Sequence, residues 1–188
     1  MNVRGAFLLV LAVAASPALS AEQPQHIVLR KASSAARPPQ SPSLCTSSEQ
    51  VLFACTVGKR LLSVCGSKEL SNTAGYIQYR FGRNPASIEL EFPPTKTHPS
   101  GHFRYTFEGQ GAKSALQELQ FEQSGYRYTV SAFTSAFSDN DFGVEVMHPD
   151  GKKISLPCAA LPVANEDMPA LERLKLPSVI KASNEVHR

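Results

Sequence analysis

The stretch "LCTSSEQVLFACTVGKRLLSVCGSK", residues 44–68, holds three of the four cysteines of this 188-residue chain, and its reading decides the fold. Within it, "QVLFACTVG" and "RLLSVCG" alternate in period two around Gly58-Lys59. A two-residue turn with glycine at its first central position predicts a type II′ hairpin. That turn sets Cys55 opposite Leu62 and Phe53 opposite Val64 on one face, with Cys65 across from Leu52 on the other. A shift of one position swaps faces in a strand, so Cys55 and Cys65 should not bond each other. The simplest pairing is then Cys45–Cys65 and Cys55–Cys158, the latter tying the first strand to the last. It is one of three connectivities that four cysteines allow.

The cysteine chemistry itself follows from spacing and context. Zinc sites prefer close C-x2-4-C pairs and redox centres C-x-x-C, whereas the first three cysteines read C-x9-C-x9-C with a distant fourth in "KISLPCAA". An even cysteine count in a small exported chain points to disulfides. Export is expected from "MNVRGAFLLVLAVAASPALSAEQ": Arg4 gives a positive start, Ala6 to Ala15 an apolar run, and Ala18-Leu19-Ser20 a small-x-small cleavage site. The run stops at Ser16-Pro17, short of the ~20 apolar residues of a membrane span. No span is therefore expected once residues 1–20 are removed.

Downstream the period of two continues. "GYIQYRFG" sets Ile77, Tyr79 and Phe81 against Tyr76, Gln78 and Arg80, and "SIELEF" sets Ile88, Leu90 and Phe92 against Glu89 and Glu91. "HFRYTFEG" repeats the pattern. "LQELQFEQ" and "YRYTVSAFT" flank Ser124-Gly125, and "DFGVEVMH" and "KKISLPC" flank the Asp150-Gly151 turn. Helical spacing exists only at "GAKSALQELQF", where strand is still preferred. About eight strands with regular turns predict an all-β domain over residues 45–158, an antiparallel barrel or sandwich. Residues 21–44, rich in Pro, Ser, Gln and Ala, read as a flexible leader. Residues 159–188 read as a tail in which "EDMPALERLKLP" favours one short helix, with Pro169 in its first turn and Pro177 stopping it. Whether Leu171, Leu174 and Leu176 dock on the domain is left open by the sequence.

Function is written far more faintly. Without Arg4 the chain carries eighteen basic and sixteen acidic residues, too even a balance for a nucleic-acid partner. His98-x3-His102 has a metal-like spacing but sits in the Pro-Gly loop "THPSGHF" with no third ligand in view. "SDNDFG", residues 138–143, lacks the remaining positions of a calcium loop. No G-x-S-x-G elbow occurs, and the glycines fall in turns rather than in a phosphate loop. No cofactor, metal or catalytic residue is expected, and the chain reads as a non-enzyme and a monomer. Tyr76, Tyr79, Tyr105, Tyr126 and Tyr128, with Arg80, Arg104 and Arg127 beside them, offer either a recognition surface or ordinary strand packing.

The run from Cys45 to Lys68, with "GYIQYRFG", "IELEFP" and "GKKISLPC", resembles a set of small exported bacterial proteins of no assigned activity. The shared positions here are Glu49, Leu52, Phe53, Cys55, Val64, Cys65, Tyr79, Arg80, Phe81 and Gly82. The resemblance implies a Gram-negative envelope location, periplasmic or secreted, and no mechanism. Phe53-Ala54-Cys55 and Ile154 to Cys158 are also similar to the frame of C-type lysozyme inhibitors, small β-barrels with a Ser-Gly-x-x-Tyr-type loop. That second resemblance implies partner contacts at Ser100, Gly101, His102, Arg104 and Tyr105, in "SGHFRYTF". Two expectations follow: a non-catalytic exported binding or structural module, or an inhibitor of a C-type lysozyme or similar hydrolase. The inhibitor requires a rigid, polar loop tip near Pro99 to His102.

Overall fold

A computed structural model describes residues 42–109, 113–159 and 168–181 of the chain. The expected signal peptide and most of the leader lie outside them. Among the described residues nine strands run in chain order: β1 Glu49–Val57, β2 Arg60–Ser67, β3 Ile77–Asn84, β4 Ser87–Phe92, β5 Arg104–Gly109, β6 Ser114–Gln123, β7 Tyr126–Ser135, β8 Asp141–Met147 and β9 Lys153–Pro157. They form two antiparallel meanders, β1-β2-β3-β4 and β5-β6-β7-β8-β9. Both sheets stay open, so the architecture is sandwich-like, and the barrel alternative is set aside. The ambiguous "SALQELQFEQ" is strand throughout, because its Leu119 and Phe121 alternate into the core while Glu118, Gln120 and Glu122 face away.

The founding hairpin forms as its turn dictates. Gly58 takes φ of 58°, and Cys55 pairs with Leu62 and Phe53 with Val64. One detail differs from the sequence expectation: Cys65 pairs with Val51, because the register shifts between Val51 and Phe53. A bulge places two residues of one strand opposite one of the other, and it leaves Cys65 on the face away from Cys55. Cys45 bonds Cys65 and Cys55 bonds Cys158, with Cα separations of 5.4 and 5.6 Å.

One apolar core fills the space between the sheets. The first contributes Phe53, Cys55, Leu62, Val64, Ile77 and Tyr79; the second contributes Tyr105, Leu119, Phe121, Val130, Ala132, Phe142 and Val144. Phe121 is the pivot of an aromatic cluster, stacked on Phe92 at 4.5 Å and on Tyr128 at 4.8 Å, with Tyr79 tilted against it at 4.9 Å. Such pairs add about 0.5–1.5 kcal/mol each beyond burial. Close approach explains Gly82: a side chain there would drive into the carbonyl of Ser87 and the Cα of Ile88 across the β3–β4 pair.

The tail docks. A 3-10 helix, Met168–Leu174, buries Leu171 and Leu174 in the same core, so the packed unit extends past Cys158. Beyond it, residues 177–181 run along the edge strand β5 and over the outer face of the second sheet. Among the described residues no helix is long and apolar enough to cross a membrane.

Candidate functional site

Each sheet has an outer face, and the chain covers part of both. On the first sheet, outward alternation from Tyr79 places Arg80 and Gln78 opposite the core. The guanidinium is buried there with all five N–H groups engaged. Nη1 donates to Glu49 Oε2 at 2.6 Å and to the Leu44 carbonyl at 3.1 Å, Nη2 to Glu49 Oε1 at 2.9 Å and Gln78 Oε1 at 2.6 Å, and Nε to Glu91 at 2.8 Å. Glu49 also accepts from the Thr46 backbone N–H and the Tyr76 hydroxyl, each at 2.8 Å. Burial opposes ionisation of Glu49, but the Arg80, Thr46 and Tyr76 hydrogen bonds and the Arg80 charge outweigh it. The carboxyl is held well below the usual range. A planar fork meeting a carboxylate in two parallel bonds is the strong form of such a pair.

This cluster is saturated and therefore structural. Cys45, Glu49 and Cys65 are the one grouping of three metal-type donors among the described residues. Both sulfurs are locked in a disulfide and the carboxylate is occupied by Arg80, so no ligand set is left. Tyr79 and Arg80, offered by the sequence as recognition residues, belong to core and network respectively.

The loop before β5 behaves differently. Ser100, Gly101 and His102 are exposed on a turn closed by the His102 and Phe103 amides donating to the Pro99 carbonyl, each at 3.0 Å, and Gly101 has φ of 89°. His98 Nε2 lies 3.2 Å from the Ser71 carbonyl and Nδ1 lies 2.7 Å from Ser100 Oγ. A carbonyl only accepts, so in the neutral ring Nε2 carries the proton and the Ser100 hydroxyl donates to Nδ1. His102 Nε2 meets Thr97 Oγ1 at 3.0 Å. The two histidines are thus engaged with different partners that order the loop. Arg104 is exposed, whereas Tyr105 is buried, its hydroxyl donating to Gln117 Oε1 at 3.0 Å and its pKa raised by burial and then by Glu172. The inhibitor-type contact set loses Tyr105, which faces the core because Phe103 and Tyr105 share one side of the strand.

Beside this loop lies a cleft of about 440 Å³. Phe92, Phe103 and Phe121 line it, with Gly101, His102 and Arg104 on the loop side and Gln120, Glu122, Pro177 and Ile180 across from them. His102 stands edge-on to Phe92 at 6.1 Å. A second cleft, of about 320 Å³, continues along the outer face of β6–β9, walled by Glu118, Arg127, Glu145, Lys153 and Val179. Gln120 and Ile180 border both. Burial pushes the Glu118 carboxyl up, Lys181 opposes this, and Glu108 and Glu145 add to it. Among the described residues its buried Oε2 accepts no hydrogen bond, although Lys181 Nζ stands 4.0 Å from it.

Sequence reasoning reached Gly101, His102 and Arg104 but missed Gln120, Thr106 and the 177–181 segment. In a strand of alternating pattern an outward Gln looks like any solvated residue, and nothing local marks what will lie over it. No family model, curated protein or solved structure matches the chain, so geometry carries the functional reading.

Proposed function

We propose that the chain is a non-catalytic binding module of the Gram-negative envelope, taking its ligand at the cleft beside the 97–104 loop. The observation that supports this is a concave site of about 440 Å³ where Phe92 borders the convergent polar side chains of His102, Arg104, Gln120 and Glu122, with Phe103 and Phe121 buried beneath it. Two disulfides fit an exported protein. The test is a titration of isotope-labelled protein with periplasmic peptides, muropeptides and lipopolysaccharide, followed by backbone amide shifts. Saturable shifts at Phe103, Arg104 and Gln120 that vanish in Arg104→Ala support the reading. Shifts confined to other surfaces count against it.

A second reading, inhibition of a C-type lysozyme or similar hydrolase, is favoured by one observation. The exposed tip Ser100-Gly101-His102 is pinned by the His98, Thr97 and Pro99 contacts, and a loop ordered before binding loses less entropy on insertion. Its contacts would be Ser100, Gly101, His102 and Arg104. Binding to immobilised lysozyme that is weakened by Ser100→Ala and His102→Ala would place this reading first.

A further inference from the structure

The segment Pro177–Lys181 is held as a peptide ligand is held. Gln120 grips Ile180 at both backbone groups: its Oε1 accepts from the Ile180 amide at 2.9 Å, and its Nε2 donates to the Ile180 carbonyl at 3.1 Å. The Val179 amide donates to Thr106 Oγ1 at 3.0 Å, Arg104 Nη1 donates to the Ser178 carbonyl at 3.2 Å, and the Tyr105 amide donates to the Pro177 carbonyl at 2.8 Å. Lys181 closes on Glu108 at 2.7 Å and stands 4.0 Å from Glu118.

Two features argue that this segment is a replaceable occupant rather than a sealed part of the core. Ile180 remains 43 % exposed, so the hold is mainly on the backbone, with Lys181 the one side chain in an ion pair. Clefts of about 440 and 320 Å³ flank it on either side. Backbone-directed hydrogen bonds with side-chain pockets left over are the hallmark of extended-peptide recognition.

We infer that the outer face of β5–β6 is a binding groove for an extended peptide supplied in trans, and that residues 177–181 occupy it in cis as a displaceable strap. The chemistry of the groove states what the peptide carries. At the Ile180 position, where isoleucine stays 43 % exposed, a larger aromatic side chain would cover more of the adjoining cleft beside Phe92. At the Lys181 position a basic group is required, because Glu108 and the half-buried Glu118 converge on its Nζ at 2.7 and 4.0 Å. The inference stands on the strap contacts and does not depend on the ligand class proposed for the cleft.

The test uses the full chain with the strap weakened by Val179→Pro, which removes the N–H given to Thr106, and Lys181→Glu, which sets like charges together. The probe is the nine-residue peptide Lys-Leu-Pro-Ser-Val-Ile-Lys-Ala-Ser, matching residues 175–183. We expect saturable amide shifts at Arg104, Thr106 and Gln120 in this variant. The native chain should bind at least about tenfold more weakly, since a tethered competitor has a millimolar-range effective concentration. Phe in place of the peptide's Ile should tighten binding, Glu in place of its second Lys should abolish it, and Gln120→Leu or Thr106→Val in the protein should weaken it about tenfold. Persistent amide protection at Leu119 and Val130 certifies that each variant is folded. Absence of shifts in the strap-weakened chain, equal binding by both chains, or indifference to the Gln120 and Thr106 changes would each overturn the inference.

Discussion

The two outer faces use the same device for different ends. On the first sheet a chain segment crosses the face and its amide donates to a side-chain hydroxyl: Leu44 N to Ser63 Oγ at 2.9 Å. On the second, Val179 N donates to Thr106 Oγ1 at 3.0 Å. There the likeness stops. The first cover is fastened by Cys45–Cys65, sinks Leu44 to 2 % exposure and surrounds a guanidinium with no donor left over. The second has no covalent fastening, leaves Ile180 exposed and lies beside a Glu118 oxygen that, among the described residues, accepts no hydrogen bond and meets Lys181 only at 4.0 Å. Satisfied burial makes a face permanent, and incomplete satisfaction keeps it available.

That contrast is broken most forcefully by removing what holds the permanent side together. Replacing Cys55 and Cys158 by serine releases a loop closure across 103 positions, worth about 4–5 kcal/mol in the chain-entropy model, and should cost the largest share of stability in urea titrations. The Cys45–Cys65 bond spans 20 positions and should cost about 3 kcal/mol by the same measure. Arg80→Met leaves the buried Glu49 charge with only the half-exposed Lys96 ammonium, at 3.3 Å, as a cationic partner, with an expected loss of about 3 kcal/mol. Pairing it with Glu49→Gln should recover a substantial part, because the stranded charge is then gone. A double variant as unstable as the single one would mean that Arg80 acts through packing alone.

Acid sharpens the same contrast, and the sign is fixed by the direction of each shift. Glu49 has its folded pKa far below the ordinary 4.5. Its contribution is fully present above about pH 4.5 and is lost progressively as pH falls below that value. Glu118 is shifted upward, so its carboxylate form weakens the fold above its ordinary value and protonation relieves that penalty. Between pH 5 and 3, native stability should therefore fall, and it should fall less steeply in Glu49→Gln, which cannot titrate. An unchanged slope would show that the network is not the acid-sensitive element.

Much of the first face was legible in the sequence and little of the second. The Gly58-Lys59 turn and strict alternation were enough to separate Cys55 from Cys65 and to give both disulfides, even though the bulge at Leu52 moved the partner of Cys65 by one residue. Period-two patterning gave the strands, and choosing between barrel and sandwich required knowing that β4 and β5 do not pair. Arg80 carried no sign of burial, since an outward position in a strand is exposed unless something covers it. Here the cover is Leu44, 36 residues away in sequence. The strap is harder still: Gln120 and Ile180 lie 60 residues apart, and neither segment announces the other. Local periodicity encodes which way a side chain points, while what meets it is a tertiary fact.

The smallest expected effect is also the most discriminating. In native-state hydrogen exchange the amides of Leu44 and Val179, both given to hydroxyl oxygens, should separate widely. Leu44 is buried in the covering segment itself, fastened by the adjacent Cys45–Cys65 disulfide, so its protection should track that of Leu119. Val179 should open locally, on a free-energy scale near that of fraying segments. Lys181→Glu should speed exchange at Val179 and Ile180 while leaving Leu44, Leu119 and the thermal midpoint where they were. If the Val179 and Ile180 amides instead exchange only with global unfolding, the strap is as permanent as the first cover and the asymmetry between the faces disappears.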